Sequence, residues 1–332
     1  AENCVMEING YRIIGELSND NSGFSKWGFG QKNGVSYFIK EFLNPVYPTD
    51  SGAMSDSQFE KKRAACEEYE RNRLALYEAV NRCSRGNVVR INEFFRADNH
   101  YYIVTERIVG NGVTIDNIAA LPMEDKLTIC RSIAYCFACL HGAQIVHFDV
   151  KPSNILMRLT RAGKYAAKVI DFDESNFVDC FSNRDIDINA DLVYLAPETF
   201  LRISGENARI SEKTDIFSLA LVFHEYLTGT YPILEEGYDY AYESVLDGGV
   251  VRFDESLPPH LQTLLGEMLS LDPEKRPDAS SIMQRLTMAV PGIETPDEAA
   301  KDAVPEINAA LEVPGESVMV GKYFKRAGNL KS

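Results

Sequence analysis

The side chains best placed to do chemistry lie in His147-Phe148-Asp149-Val150-Lys151-Pro152-Ser153-Asn154, followed after a short variable piece by Val169-Ile170-Asp171-Phe172-Asp173. Carboxylates, an ammonium and a side-chain amide this close in sequence can accept a proton, neutralise moving charge and offer oxygen ligands to a hard cation. On its own the D-x-K-x-x-N fragment also suits an ordinary surface turn. Matches elsewhere in the chain, in a fixed order, favour chemistry.

The two stretches resemble the catalytic loop and the metal-binding loop of the eukaryotic-type serine/threonine protein kinases, with H-F-D and D-F-D where that family has H-R-D and D-F-G. In phosphoryl transfer few bonds are made by the protein, which must hold a hydroxyl, a triphosphate and one or two metal ions in line. The resemblance implies that Asp149 accepts the proton of the attacking hydroxyl and Lys151 neutralises the transferring group. Asn154 and Asp171 would be ligands of Mg²⁺, with Mn²⁺ as an alternative ion. Tyr37-Phe38-Ile39-Lys40 resembles V-A-I-K, so Lys40 would hold the first two phosphates of ATP, although a lysine among apolar neighbours also suits an edge strand. Glu70, followed by Leu74, fits the helix glutamate that pairs with that lysine, with Glu67 in reserve.

Asn87-Val88-Val89-Arg90-Ile91 resembles N-I-V-x-L. Thr105 would guard the rear of the nucleotide pocket, and Glu106 to Ile108 would offer backbone hydrogen bonds to adenine. Val193-Tyr194-Leu195-Ala196-Pro197-Glu198 resembles Y-x-A-P-E, Asp215-Ile216-Phe217-Ser218-Leu219 resembles D-x-W-S-x-G, and Leu271-Asp272-Pro273-Glu274-Lys275-Arg276-Pro277 resembles L-x-x-D-P-x-x-R-P. Family precedent pairs Glu198 with Arg276 as a buried structural ion pair.

Several positions depart from the family pattern. The glycine-rich loop keeps Gly23 but has Ser25 for its last glycine, where a Cβ hinders approach of the backbone to phosphate. Trp27 falls where a valine lies on adenine, and equally suits a core position. Phe148 replaces an arginine that pairs with activation-loop phosphate, so a phosphate on Ser175 or Ser182 would lack its usual partner. The resemblance then implies a non-RD kinase, with an activation segment expected to be ordered and competent without phosphorylation. Asp191 replaces a threonine and either pairs with Lys151 or points to solvent. Asp173 replaces a glycine and either adds a carboxylate near the metal or caps its own turn.

These residues need elements to position them. Tyr11 to Phe42 alternates like a small antiparallel sheet, with Asn33-Gly34 as a hairpin turn. From Gln58 to about Arg82 the pattern is helical, with Phe59, Cys66, Tyr69, Leu74, Tyr77 and Val80 available for an apolar stripe. Ile129, Ile133, Cys136 or Phe137, and Leu140 recur at helical spacing, and the uncharged run from Ser132 to Phe148 reads as a buried central helix, short of the roughly 20 residues a membrane span needs. The expected class is α+β and bilobal: a small antiparallel-sheet lobe with one main helix at 1–108, a larger mostly helical lobe at 109–290, and a tail at 291–332 rich in Pro, Glu, Asp and Ala at first, then apolar and basic.

Composition agrees with a globular protein: of 332 residues, 45% are hydrophobic and 25% charged. A net charge of −15 disfavours nucleic acid and anionic membranes and slightly favours basic partners. Seven scattered cysteines give neither a disulfide nor a zinc pattern, which points to a reducing compartment, the cytoplasm. The chain begins at Ala1, without methionine, as either an excised fragment or a chain with an engineered start would. The function expected is Mg-ATP-dependent phosphorylation of protein serine or threonine, since Lys151 accompanies that branch of the family. The alternatives are a pseudokinase scaffold and a small-molecule kinase of the choline or aminoglycoside type, which the A-P-E and Asp215 elements oppose. Substrate and oligomeric state are not written in the sequence.

Overall fold

The computed structural model describes residues 6–19, 25–52, 54–108, 112–160, 163–181 and 191–288. Gly23, Ser182, Ala190 and the tail at 291–332 lie outside them. The described residues divide into two compact units, one drawn from 6–81 and 89–108, the other from 82–88 and 112–288. One is a small antiparallel sheet with a long helix and the other is larger and mostly helical, the expected α+β division.

In the first unit, β1 (Glu7–Ile8), β2 (Tyr11–Ser18), β3 (Ser25–Lys32), β4 (Val35–Phe42), β5 (Ile91–Ala97) and β6 (His100–Glu106) form one sheet in the order β1-β2-β3-β4-β6-β5. Every pairing is antiparallel. The β3–β4 hairpin closes at Asn33 and Gly34, both with positive φ (53° and 78°), the geometry that selects Asn-Gly. Lys40 sits on β4 between β3 and β6 and is 9% exposed, so it is an interior residue and the edge-strand reading fails.

The sheet has two apolar faces. Ile39 packs with Tyr11, Ile13, Tyr102 and Val104 on one, where a Cβ on Gly30 would meet Ile39 Cδ1 at 2.3 Å and force that side chain to move. On the other face Phe94 and Tyr101 contact Tyr69 of α1 (Asp56–Cys83), with Tyr77 against Phe94. Helix α1 starts at a reciprocal cap, Ser55 N donating to Gln58 Oε1 (3.0 Å) and Gln58 N to Ser55 Oγ (3.3 Å). Its buried residues are Cys66, Leu76, Tyr77, Ala79 and Val80. Leu74 is 41% exposed and leaves the expected stripe, because the rings of Phe94 and Tyr101 engage the face one residue round.

In the second unit, α2 (Ile115–Ala119) precedes the central α3 (Met123–Gly142), which buries Ile129, Ile133, Cys136, Phe137 and Leu140. The helix stops short of the apolar run expected to reach Phe148: Gln144 turns left-handed (φ 59°) and the chain enters β7 (Ile145–Val146). A hairpin of β8 (Ile155–Leu159) and β9 (Tyr165–Val169) follows, and β10 (Asn176–Phe177) pairs back on β7. Then come α4 (Pro197–Ile203), α5 (Lys213–Thr228), α6 (Ala241–Leu246), α7 (Pro259–Met268) and α8 (Ala279–Met288). Helix α5 is buried from Thr214 to Leu227 and ends at Gly229 (φ 86°), a left-handed cap that only glycine adopts without strain.

Candidate active site

The site in the second unit is built on a buried carboxylate. Asp215, in the first turn of α5 and 1% exposed, accepts the backbone N–H of His147 at Oδ2 (2.9 Å), that of Phe148 at Oδ1 (2.9 Å), and the ring N–H of His141 at Oδ2 (2.9 Å). Three donors satisfy a charge that burial would otherwise penalise. They also hold a strained loop, since Phe148 is left-handed (φ 73°), uncommon for a bulky residue.

His147 is fully buried and ties the two functional loops together. Its Nε2 donates to Ile170 O (3.0 Å), which leaves Nδ1 to accept the Asp149 N–H at 3.4 Å. The ring lies 4.9 Å from that of Phe172 and 5.9 Å from that of Phe137. Its carbonyl accepts from Ser175 Oγ at 2.9 Å.

Asp149 follows, and its neighbours in sequence converge on it. Oδ2 accepts from Lys151 Nζ (2.8 Å) and from Asn154 Nδ2 (2.8 Å), and Asn154 Nδ2 also reaches the Asp149 carbonyl (2.8 Å). The turn at Pro152–Asn154 makes this possible by folding Asn154 back over the loop. Asp149 Oδ1 has no partner among the described residues, so one oxygen is fixed and the other is open to a hydroxyl.

Asn154 spends its N–H group on Asp149 and keeps Oδ1 as an acceptor. Its backbone carbonyl receives the Ile170 N–H (2.9 Å), and the pairing of Ile155 with Val169 sets Asp171 beside that end of the hairpin. Asp171 takes a left-handed φ (63°). An amide oxygen and a carboxylate fit Mg²⁺, a hard ion that keeps several water or phosphate ligands and needs few from protein. Asp173 is half-buried and is not among the positive-φ residues, so the backbone freedom of glycine is not used at that position.

Two further positions have defined places. Asp191 accepts the Val193 N–H (3.1 Å) as the cap of a short turn at Leu192–Tyr194, while Lys151 is bonded to Asp149. Of the two readings of Asp191, the solvent-facing one describes it: the residue is exposed and serves as a local cap. Glu198 and Arg276 do form the expected buried pair, bidentate at 2.7 and 2.9 Å.

The remaining expected site residues lie in the first unit. Lys40 stands opposite Trp27 on β3 and Ile103 on β6, so Lys40 and Trp27 share a face of the sheet. The Trp27 ring stacks on Phe38 at 5.9 Å. Glu70 lies on the partly buried side of α1, close enough to Tyr101 to raise its hydroxyl pKa, after burial and Cys66. The Glu106 N–H is spent on Arg90 O (3.1 Å) and its carboxylate on Arg90 N (2.7 Å). Thr105 and Ile108 are both half-buried at the end of that strand.

The sequence pointed to Asp149, Lys151, Asn154 and Asp171 but missed the clamp made by Asp215 with His141. An acidic residue in the first turn of a helix that is otherwise apolar was the signal available for it.

The family model of the protein kinase domain matches residues 57–287. Similar curated proteins include the ovarian-specific serine/threonine-protein kinase Lok of Drosophila melanogaster, 30% identical over 212 residues, 59% of this chain and 42% of that one. The calcium and calcium/calmodulin-dependent serine/threonine-protein kinase DMI-3 of Medicago truncatula is 25% identical over 59% of this chain and 37% of its own length. An Aurora kinase of Yarrowia lipolytica is 28% identical over 57% of this chain and 49% of its own. The matched stretch spans less than half the length of each of these relatives.

Proposed function

The chain belongs to the protein kinase family, and on that premise we propose that it transfers the γ-phosphoryl group of ATP to serine or threonine hydroxyls of a protein substrate. The observation that carries the reading is the Asp149 carboxylate, with Oδ2 held by Lys151 and Asn154 and Oδ1 left open. Asp149 Oδ1 orients the attacking hydroxyl and takes its proton as the bond to phosphorus forms. Lys151 turns its ammonium from Asp149 toward the transferring group as negative charge gathers there. Asn154 Oδ1 and Asp171 would hold Mg²⁺, which supplies charge neutralisation on the phosphate oxygens. In the first unit Lys40, oriented by Glu70, binds the first two phosphates. Trp27, Thr105, Glu106 and Ile108 receive the adenine, with Gly23 in the loop over the phosphates.

No helix among the described residues is long and apolar enough to cross a membrane. The free cysteines Cys66, Cys83, Cys130, Cys136, Cys139 and Cys180 support action in a reducing compartment such as the cytoplasm.

The test is incubation with radiolabelled ATP, Mg²⁺ and a mixed protein substrate. Wild type should label serine or threonine. Asp149→Asn should lower turnover by roughly 10²–10⁴ with nucleotide binding nearly intact, because a base acts in the transition state. Lys40→Met should weaken both. Equal labelling by wild type and Asp149→Asn would remove the assignment, and ATP binding without transfer would favour a scaffold.

A further inference from the structure

We propose that the sheet face carrying Lys40 recognises a nucleotide base by stacking it on aromatic rings and not by reading its hydrogen-bonding edge, so that ATP and GTP bind almost equally. This selectivity belongs to the same site, and rests on the nucleotide assignment above.

Residues two apart on a strand share a face, as do residues directly opposite on neighbouring strands. Phe38, Lys40 and Phe42 therefore lie on one face of β4, with Phe29 of β3 and Thr105 of β6 opposite Phe38, and Trp27 of β3 opposite Lys40. Phe42, 7% exposed, packs on Phe94 at 6.3 Å, at the end of the face that α1 engages through Tyr69 and Tyr77. The other end holds the rings of Trp27, Phe29 and Phe38, all half-buried and so still accessible in part. Those of Trp27 and Phe38 lie 5.9 Å apart with planes 23° from parallel, and Phe29 stands edge-on to both, at 6.3 and 6.0 Å. Arg107 lies over the Phe29 ring at 4.4 Å.

Two of these rings replace smaller residues of the resembled family, Trp27 a valine and Phe38 the alanine of V-A-I-K. Lys40 is two residues from Phe38, about 7 Å along the strand. A base on the rings thus sets its phosphates, one ribose away, near the ammonium. Beside the rings the groups of Glu106 are already committed: its N–H to Arg90 O (3.1 Å), its carboxylate to Arg90 N (2.7 Å), while its carbonyl accepts the Thr105 hydroxyl (3.4 Å). Strong discrimination between ligands of one shape comes from polar groups left unpaired in the wrong complex. Stacking carries no such penalty, because every base has a π-face.

Trp27 is the only tryptophan in the chain, so its emission reports on this surface alone. The intact chain is titrated with the Mg²⁺ salts of ATP, GTP and tripolyphosphate, followed by calorimetry and by that emission. Both nucleotides should quench it, with dissociation constants within about fivefold of each other. Tripolyphosphate, which has no base, should leave it unchanged. Trp27→Ala should weaken ATP and GTP alike by about tenfold or more, and Trp27→Phe, which keeps a ring, should bind both nearly as wild type does. A preference for ATP over GTP beyond about fivefold would overturn the proposal. So would ATP binding with unchanged emission, equal quenching by tripolyphosphate, or wild-type ATP affinity in Trp27→Ala. Each of those results leaves the nucleotide assignment standing, whereas binding of neither ATP nor GTP removes that assignment together with the selectivity.

Discussion

Phe148 and Phe181 stack with ring centroids 5.0 Å apart and planes 20° from parallel, which joins the loop that carries Asp149 to the segment beyond Asp171 through an apolar contact. Val146 and Ile210 complete the buried cluster, Val178 packs against it, and the pairing of β10 with β7 adds backbone hydrogen bonds. In the family an arginine at the position of Phe148 would await a phosphate. Here burial does the anchoring. Ser175 is fully buried with its hydroxyl on His147 O, so it is closed to a modifying enzyme.

Activity should accordingly survive phosphatase treatment, while Phe181→Ala should lower it several-fold. Truncating a buried phenylalanine costs about 3–5 kcal/mol, spent here on one short segment. Amide exchange at residues 176–181 should quicken in the variant. A phosphatase-treated sample that loses all activity and regains it once modified on this segment would contradict the account.

Glu198 and Arg276 predict a stability effect. Arg276 is 1% exposed, and besides Glu198 it donates to Ser270 O (2.8 Å) and Lys213 O (2.8 Å) and lies over the Phe217 ring. Removing one partner leaves a buried charge uncompensated, a loss of about 3–5 kcal/mol. Glu198→Ala should lower the melting temperature by on the order of 10 °C, and Glu198→Gln by less. A shift of a degree or two in Glu198→Ala would mean that water reaches the arginine.

His224 predicts a pH dependence. It is 1% exposed on α5, with Nδ1 donating to Thr230 O (2.8 Å) and Nε2 accepting the Asp254 N–H (3.1 Å). Burial lowers its pKa, outweighing the opposing effects of Thr230 and Asp254. The unfolded chain therefore takes up the proton first. The stabilisation is present above the unfolded pKa of about 6.5 and is lost as pH falls toward the folded value. Asp254, held low by its hydrogen bonds to Ser256, titrates in a separate and more acidic window. Between about pH 7.5 and about pH 5.5 the melting temperature should fall less in His224→Gln than in wild type. Parallel curves would assign the slope to other groups.

What was legible in the sequence was what short range dictates. Asp149, Lys151 and Asn154 lie so close in the chain that one turn brings them together, and Asn33-Gly34 imposes its own hairpin. The clamp by Asp215 joins residues 67 and 68 positions away, and no local pattern encodes such a distance. Leu74 misled for a related reason: several helix faces suit the spacing in α1, and the aromatic residues of β5 and β6 select one. Lys40 was ambiguous because strand order, which decides edge or interior, is a tertiary property.

Asp191 gives the last prediction, because its charge invites a catalytic reading that its geometry does not need. Its Oδ1 caps Leu192–Tyr194, and this turn is anchored from beyond by Tyr231 OH on Val193 O (2.7 Å) and Ser218 Oγ on Tyr194 O (2.7 Å). Threonine is also a competent N-cap, so Asp191→Thr should leave the rate and its pH profile unchanged. Alanine cannot cap. Asp191→Ala should cost about 1 kcal/mol, and since the turn has those two outside anchors the loss should appear as faster amide exchange at Leu192–Tyr194 with little change in melting temperature. A tenfold or greater slowing in Asp191→Thr, with a displaced pH profile, would show instead that the carboxylate couples to Lys151 during turnover.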